Sequence, residues 1–304
     1  MIVMSLRDVA TAVAGEPSTD ADLSTVVSGR CEIDSRRVQP GDLFIAIKGD
    51  NHDGHDHVDA ALAAGAVAAV VTADGPGPRI LVPDTVAALA ALARAILEIR
   101  SDVTVIALTG SSGKTSTKDI IGQLLATSAP TVWPEGSFNN ELGLPLTVLR
   151  IDEETRYLVL EMGSRGPGHI QELCTIARPD VALVLNVGSA HVGEFGSVEN
   201  TARAKAELIE ALEPQGVAVL NADDPYVCAM AERTQAPIRW VGSGTSADVQ
   251  VIDVVLDDLA RPHATLRIDD ETQELTLALH GEHQAINAAA AAAAATAAGM
   301  SRDQ

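Results

Sequence analysis

The chain has 304 residues, 46% of them apolar, and carries 42 Asp and Glu against 21 Lys and Arg, a formal charge of -21. That length suits roughly two domains, and the negative charge excludes a polyanionic partner such as DNA, leaving only phosphate ligands gripped by local clusters of Lys and Arg. Aromatic residues make up 2% of the chain, so the core has to be built from Ala, Val, Leu and Ile, as in closely packed α/β proteins.

Cys31, Cys174 and Cys228 are odd in number, far apart and in no CxxC spacing, which argues against a disulfide framework and against a zinc site. The N-terminus meets Arg7 and Asp8 too early for a signal peptide. The uncharged stretch near Ala60 to Ala73 falls short of the ~18 residues that cross a bilayer. A soluble, cytoplasmic protein without membrane insertion is expected.

Residues 1 to 100 read as a small N-terminal α/β domain. Its pattern gives a helix at Leu6 to Val13, a strand at Leu43 to Ile47, a helix near Val58 to Gly65, strands at Val67 to Val71 and Ile80 to Val82, and a helix at Val86 to Ile99. Asp34-Ser35-Arg36-Arg37 and Gly49 to Asp56 flank the first strand as polar loops. They are either solvated turns or a ligand site in which Arg36 forks onto a phosphate.

After a boundary near Arg100-Ser101-Asp102, residues 101 to 304 alternate strands and helices, which predicts a mostly parallel sheet with helices on both faces. The strand Val103 to Leu108 runs into Thr109-Gly110-Ser111-Ser112-Gly113-Lys114-Thr115-Ser116 and a helix to Leu125. This is a phosphate cradle in a shortened P-loop form: two glycines let the backbone approach a ligand, the helix start attracts an anion, Lys114 meets phosphate oxygens, and the Thr115 hydroxyl suits Mg²⁺. An ordinary strand-to-helix turn would leave Gly-Lys-Thr-Ser-Thr without a purpose.

Phe138 to Pro145, with Asn139 and Asn140, reads as a polar turn. Strands follow near Tyr157 to Leu160, Val181 to Val187 and Val217 to Leu220, with helices at Pro167 to Ile176 and Val198 to Leu212. In such a sheet ligands sit beyond the C-terminal strand ends, where Glu161-Met162-Gly163 and Asn186 to His191 fall. Singly, Glu161 reads as a capping glutamate and His191 as a hydrogen-bonded loop histidine. Jointly with Thr115 they make a metal site beside bound phosphate.

In the helix capped by Ser197, the spacing of Val198, Ala202, Lys205, Ile209 and Leu212 defines an apolar stripe, with Arg203, Glu207 and Glu210 opposite. Lys205 is therefore the charged residue aimed inward. It either snorkels to the surface or sits buried as a readily neutralised amine, open to reaction with CO₂ to give a metal-binding carbamate. Asn221-Ala222-Asp223-Asp224-Pro225 forms a further polar turn, and residues 238 to 279 read as hairpins. His283 and Asn287 precede the run Ala288 to Ala295, a helix of high propensity that permits close packing.

Taken in order, Asp34-Ser35-Arg36, Asp53-Gly54-His55, Thr109 to Thr115, Asn139-Asn140 to Pro145, Glu161-Met162-Gly163, Asn186 to His191, Ala204-Lys205-Ala206-Glu207 and Gly281-Glu282-His283 to Asn287 resemble the Mur ligase family. Its members are ATP-dependent ligases that form amide bonds in peptidoglycan synthesis. The resemblance implies that Ser35 and Arg36, with Asn139 and Asn140, bind substrate. It also implies that residues 109 to 116 hold the ATP phosphates, that His283 and Asn287 face the adenine, that Thr115 and Glu161 hold Mg²⁺, and that His191 and a carbamylated Lys205 support a second metal. Lys114, Glu161, His191 and Lys205 become the catalytic set.

Glu161-Met162-Gly163 followed by Gly168-His169-Ile170 resembles the branch that adds D-alanyl-D-alanine to a UDP-N-acetylmuramoyl-tripeptide. The alternatives are a relative that adds a single amino acid and a non-ligating P-loop ATPase. Family members carry a third, C-terminal domain that these 304 residues do not include, so a monomer that binds both ligands with little or no ligation is expected.

Overall fold

Short β-branched runs and amphipathic helices alternate through most of the chain, and a computed structural model describes residues 1–188, 196–269 and 271–301. The chain divides into two compact units. One contains Met1–Ser101 and Glu141–Glu154, the other Asp102–Asn140 and Thr155–Gln304.

The first unit opens with β1 (Met4–Ser5) and α1 (Leu6–Ala12). The Ser5 hydroxyl and Asp8 carboxylate cap each other's backbone N–H groups to start the helix. Then come β2 (Glu16–Pro17), β3 (Val26–Val27), β4 (Cys31–Glu32), β5 (Leu43–Ile45), α2 (Val58–Ala63), β6 (Ala68–Val71), β7 (Arg79–Leu81) and α3 (Thr85–Ile99). The sheet order is β2-β7-β6-β5-β4, parallel except for β2, while β1 and β3 pair separately. Every residue of β5 and β6 is buried, as expected of parallel strands covered on both faces.

In the second unit β8 (Thr104–Thr109) leads into α4 (Lys114–Ala126) and β9 (Thr131–Val132). The chain then returns to the first unit as α5 (Gly143–Val148), which packs on α3. The polar turn expected over Phe138 to Pro145 is thus corrected: a helix begins at Gly143, because Leu144, Pro145 and Val148 are apolar enough to be buried.

Back in the second unit run β10 (Tyr157–Glu161), α6 (His169–Ile176), β11 (Val181–Val184), α7 (Val198–Glu210), β12 (Val217–Asn221), α8 (Pro225–Cys228), β13 (Ile238–Gly242), β14 (Val249–Leu256), β15 (Pro262–Ile268), β16 (Glu271–Thr276) and α9 (His283–Ala297). The nine strands are ordered β16-β15-β14-β13-β12-β11-β8-β10-β9. All pairings from β9 to β14 are parallel, and β15 and β16 add on antiparallel. The hairpin reading of 238 to 279 therefore holds only from β14 onward, since β13 lies parallel between β12 and β14.

Ile106, Leu108, Ile121, Leu125 and Val159 share a core with Ala285, Ala289 to Ala291 and Ala293 to Ala295. The alanine helix thus packs against α4 and the sheet, and its single methyl groups let the backbones approach closely. The order of the strands places β8 between β10 and β11, which follow one another in sequence but lie on its opposite sides. The loops leaving β8, β10 and β11 consequently meet at a topological switch point.

Candidate active site

Beyond β8 the backbone turns over Ser111 and Ser112, whose N–H groups both donate to Asn186 Oδ1 at 3.0 Å. Asn186 Nδ2 donates back to the Ser112 carbonyl at 3.2 Å. This side chain, in the loop after β11, shapes the cradle. Asn186 was legible as part of a polar turn, but nothing local showed that it would grip a backbone 75 residues earlier.

Gly113 caps α4 with φ +81°, and a Cβ there would lie 2.8 Å from Asn287 Oδ1. Glycine is needed twice over, for the left-handed backbone and for the close approach of α9. The α4 first turn holds no acidic residue, so its free N–H groups and positive dipole end stay available to an anion. The Lys114 Nζ donates to the Gly110 carbonyl at 2.9 Å. Burial lowers the Lys114 pKa, and the nearby Glu161 charge opposes that shift.

Thr109, fully buried, donates its hydroxyl proton to the Met162 carbonyl at 2.8 Å and so ties the end of β8 to the end of β10. Next to it Glu161 is only 1% exposed. Its Oε2 accepts from the Thr115 hydroxyl at 2.9 Å and its Oε1 from Asn139 Nδ2 at 2.7 Å. A buried carboxylate and a hydroxyl at a phosphate cradle are hard oxygen donors, the small protein contribution that suits Mg²⁺ when phosphates and water complete its shell. Among the described residues no cluster of three or more His, Cys, Asp or Glu forms a metal cage. His191 lies outside the described residues.

Lys205 is 6% exposed on α7. Its pKa is pushed down to about 8, first by burial and then by the charge of Lys114. The P-loop lysine is thus its electrostatic neighbour, and no hydrogen bond or ion pair joins Lys205 to any described residue. The buried face of α7 is formed by Thr201, Ala204, Lys205, Ala206, Leu208 and Ile209. The expected stripe is shifted, with Val198, Ala202 and Leu212 only half-buried. Glu207 does not project freely: it accepts from the N–H groups of Gly168 at 2.6 Å and Gln171 at 3.0 Å, capping α6.

Asn287 is 3% exposed and lines a small cavity with Asn186, Asn221, Leu185 and Ile286. Asn221 Nδ2 donates to the Leu185 carbonyl at 2.8 Å, and Asp224 Oδ2 accepts from Val187 N–H at 2.8 Å. The turn after β12 therefore braces the loop after β11. His283 does not line this cavity; it is exposed at the start of α9, and its ring lies over Gly281. Ser116 sits half-buried in the first turn of α4, and Asn140 half-buried beside Asn139.

In the first unit a separate pocket is lined by Arg30, Glu32, Arg36, Arg37, Val38, Gln39 and Asp42. The Arg36 fork is closed on Asp34, with Nε at 2.9 Å and Nη2 at 2.7 Å, and its hydrogen bonds draw the Asp34 carboxyl down to about 2. Arg36 is 87% accessible and Asp34 half-buried. Ser35 is half-buried. The Gly49 to Asp56 loop does not reach this pocket. There His55 lies 2.6 Å from Asp53 and accepts from Thr72 N–H at 2.9 Å.

The three cysteines are free thiols, and burial pushes Cys31 and Cys174 up to about 12. No helix among the described residues is long and apolar enough to cross a membrane.

Residues 108–295 match the Mur ligase middle domain and residues 30–96 match the Mur ligase catalytic domain. The chain belongs to the Mur ligase family. The UDP-N-acetylmuramoyl-tripeptide–D-alanyl-D-alanine ligase of Mycobacterium tuberculosis is 43% identical over 333 residues, covering 100% of this chain and 65% of that relative. Among solved structures, MurF from Acinetobacter baumannii gives a TM-score of 0.90 at 34% identity, over 99% of this chain and 66% of that one. MurF ligase from Thermotoga maritima, solved in complex with ADP, gives a TM-score of 0.76 at 35% identity, over 87% of this chain and 62% of that one. The Mur ligase chain described here thus spans about 65% of the length of the M. tuberculosis relative.

Proposed function

We propose that these 304 residues form the nucleotide-binding and UDP-sugar-peptide-binding portion of a ligase. The enzyme uses ATP to join D-alanyl-D-alanine to UDP-N-acetylmuramoyl-tripeptide, in the cytoplasm. The single observation that carries this reading is the convergence of Lys114, Thr115, Glu161 and the buried Lys205 at one sheet edge, within a chain 43% identical to a ligase of that name.

In this proposal the second unit binds ATP. Residues Gly110 to Ser116 wrap the phosphates, Lys114 leaves the Gly110 carbonyl for a phosphate oxygen, and Asn287 faces the base. Thr115 and Glu161 hold Mg²⁺, which when bound neutralises charge on the transferring phosphoryl group. The first unit takes the UDP-sugar end near Ser35 and Arg36, and Asn139 and Asn140 contact substrate.

A substrate carboxylate oxygen attacks the γ-phosphorus, the bond to the β-phosphate oxygen breaks, and ADP leaves. The dipeptide amine then attacks the acyl carbon of the acyl phosphate, phosphate departs and the nitrogen sheds a proton. The protein contributes mainly positioning and charge neutralisation. Lys205 enters as a carbamate: its neutral amine forms an N–C bond to CO₂ and loses a proton. A buried cation beside Lys114 thereby becomes an anion suited to a metal.

The test is calorimetric titration of the chain with Mg·ATP and with UDP-N-acetylmuramoyl-tripeptide, followed by ADP release on adding D-alanyl-D-alanine or single amino acids. Binding of both ligands, with weak turnover selective for the dipeptide, is expected. ATP turnover indifferent to the sugar peptide would replace the ligase with a non-ligating P-loop ATPase, and turnover selective for a single amino acid would replace the dipeptide.

A further inference from the structure

Lys118, one helical turn beyond Lys114 on α4, is 0% exposed. Withdrawing an ammonium from water costs several kcal/mol unless its protons find acceptors. Here three acceptors surround it: the Pro134 carbonyl at 2.7 Å, the Gly136 carbonyl at 2.9 Å and Asp119 Oδ1 at 2.9 Å. Two of them lie on the irregular segment after β9, in which Glu135 to Phe138 are exposed. That segment is fixed at its ends as well. Trp133 covers Gly122, where a Cβ would come within 2.5 Å of the indole, and the Asn139 carbonyl accepts from Gly163 N–H at 2.9 Å.

The same segment carries two side chains into the candidate metal site. Ser137 Oγ is 3.3 Å from Thr115 Oγ1, and Asn139 Nδ2 holds Glu161 Oε1 at 2.7 Å. Between those pinned ends the stretch is exposed and irregular, and the buried ammonium holds its middle through the Pro134 and Gly136 carbonyls, next to Ser137 and Asn139. We propose that Lys118 is a positioning residue: by gripping the 134–136 backbone it aims Asn139 at Glu161 and so sets how strongly Mg²⁺ enhances nucleotide binding. The inference rests on the nucleotide-binding reading of the site.

The experiment measures affinity of the whole 304-residue chain for a non-hydrolysable ATP analogue, once in EDTA and once in saturating Mg²⁺. Lys118→Met is expected to bind within about twofold of the unsubstituted chain in EDTA, because the cradle itself is untouched, and to lose about tenfold in the Mg²⁺ enhancement. Asn139→Ala should lose the Mg²⁺ enhancement to a similar extent. The double variant should be no worse than Asn139→Ala alone, since residues acting through one contact are not additive.

A purely structural lysine would lower the melting temperature and leave the Mg²⁺ enhancement intact; that result, or additivity in the double variant, overturns the proposal. If Lys118→Met does not fold, Pro134→Gly loosens the segment and leaves the lysine in place. It should reproduce the Mg²⁺-selective loss, and unchanged Mg²⁺ dependence would count against the proposal equally. An unsubstituted chain that binds the analogue with no help from Mg²⁺ would remove the metal site itself, a failure distinct from a variant that keeps a normal enhancement.

Discussion

Lys205→Met is expected to stabilise the ligand-free chain at pH 7 by up to about 3 kcal/mol while abolishing the Mg²⁺ enhancement of ATP binding. The amine's pKa falls from 10.5 to about 8 on folding, a displacement equivalent to ~3 kcal/mol. Because the folded pKa is the lower one, the unfolded chain binds more protons between about pH 8 and 10.5, and stability rises with pH across that window. Below about 8 both states hold the proton and the whole penalty is present. Methionine fills a similar volume without charge.

Urea unfolding in CO₂-free buffer should therefore separate the two proteins most at pH 7 and little by pH 10.5. Equal stability at pH 7 would mean that the amine is not held in a low-dielectric site. With CO₂ present the gap should narrow, as the carbamate replaces the buried cation. Lys205→Ala should recover part of the Mg²⁺ enhancement when short carboxylates are added, and no recovery would remove the carbamate.

Lys114→Met and Glu161→Gln are expected to damage binding in different ways. Lys114 offers a charged donor to phosphate oxygens whether or not a metal is present, and such bonds are worth about 1.5–3 kcal/mol each. Its loss should weaken ATP binding by roughly 10- to 100-fold in EDTA as well as in Mg²⁺. Glu161 faces Thr115 and Asn139 and has no donor to offer a phosphate. Glu161→Gln should leave binding in EDTA unchanged or slightly better, because a carboxylate near the anionic ligand is neutralised, while the Mg²⁺ enhancement falls by about tenfold or more. Calorimetry with and without Mg²⁺ reads both effects. Equal losses in the two buffers for Glu161→Gln would detach Glu161 from the metal.

The parts of this site visible in sequence are those written into one short stretch. Val103 to Leu108 and Gly110 to Thr115 announce a buried strand and an anion-binding helix start within 13 residues, because β-branching, glycine placement and a lysine act locally. Lys205 was placed inward by helical spacing alone, although the stripe it belongs to centres on Thr201 and Leu208, to which tertiary packing rotates the helix. Features made by distant partners were not visible. Lys118 looks like one more polar residue at a helix start, and its carbonyl acceptors lie 16 and 18 residues away on an irregular segment.

Asn186, likewise, reads as turn chemistry until β8 and β11 pair and bring it against Ser111 and Ser112. The return of Glu141–Glu154 to the first unit depends on α5 finding α3, a contact without a local signature. Alternation gave the β14–β16 strands but not the direction of β13, since parallel and antiparallel strands share the same two-residue period.

The central claim, that one sheet edge binds a metal-chelated triphosphate, is tested most directly by crystallising the chain with Mn²⁺ and a non-hydrolysable ATP analogue. The predicted result is an anomalous peak coordinated by the Thr115 hydroxyl and a Glu161 oxygen, with Lys114 moved from the Gly110 carbonyl onto a phosphate. A triphosphate bound away from Gly110 to Thr115, or a metal with neither Thr115 nor Glu161 in its shell, would contradict it.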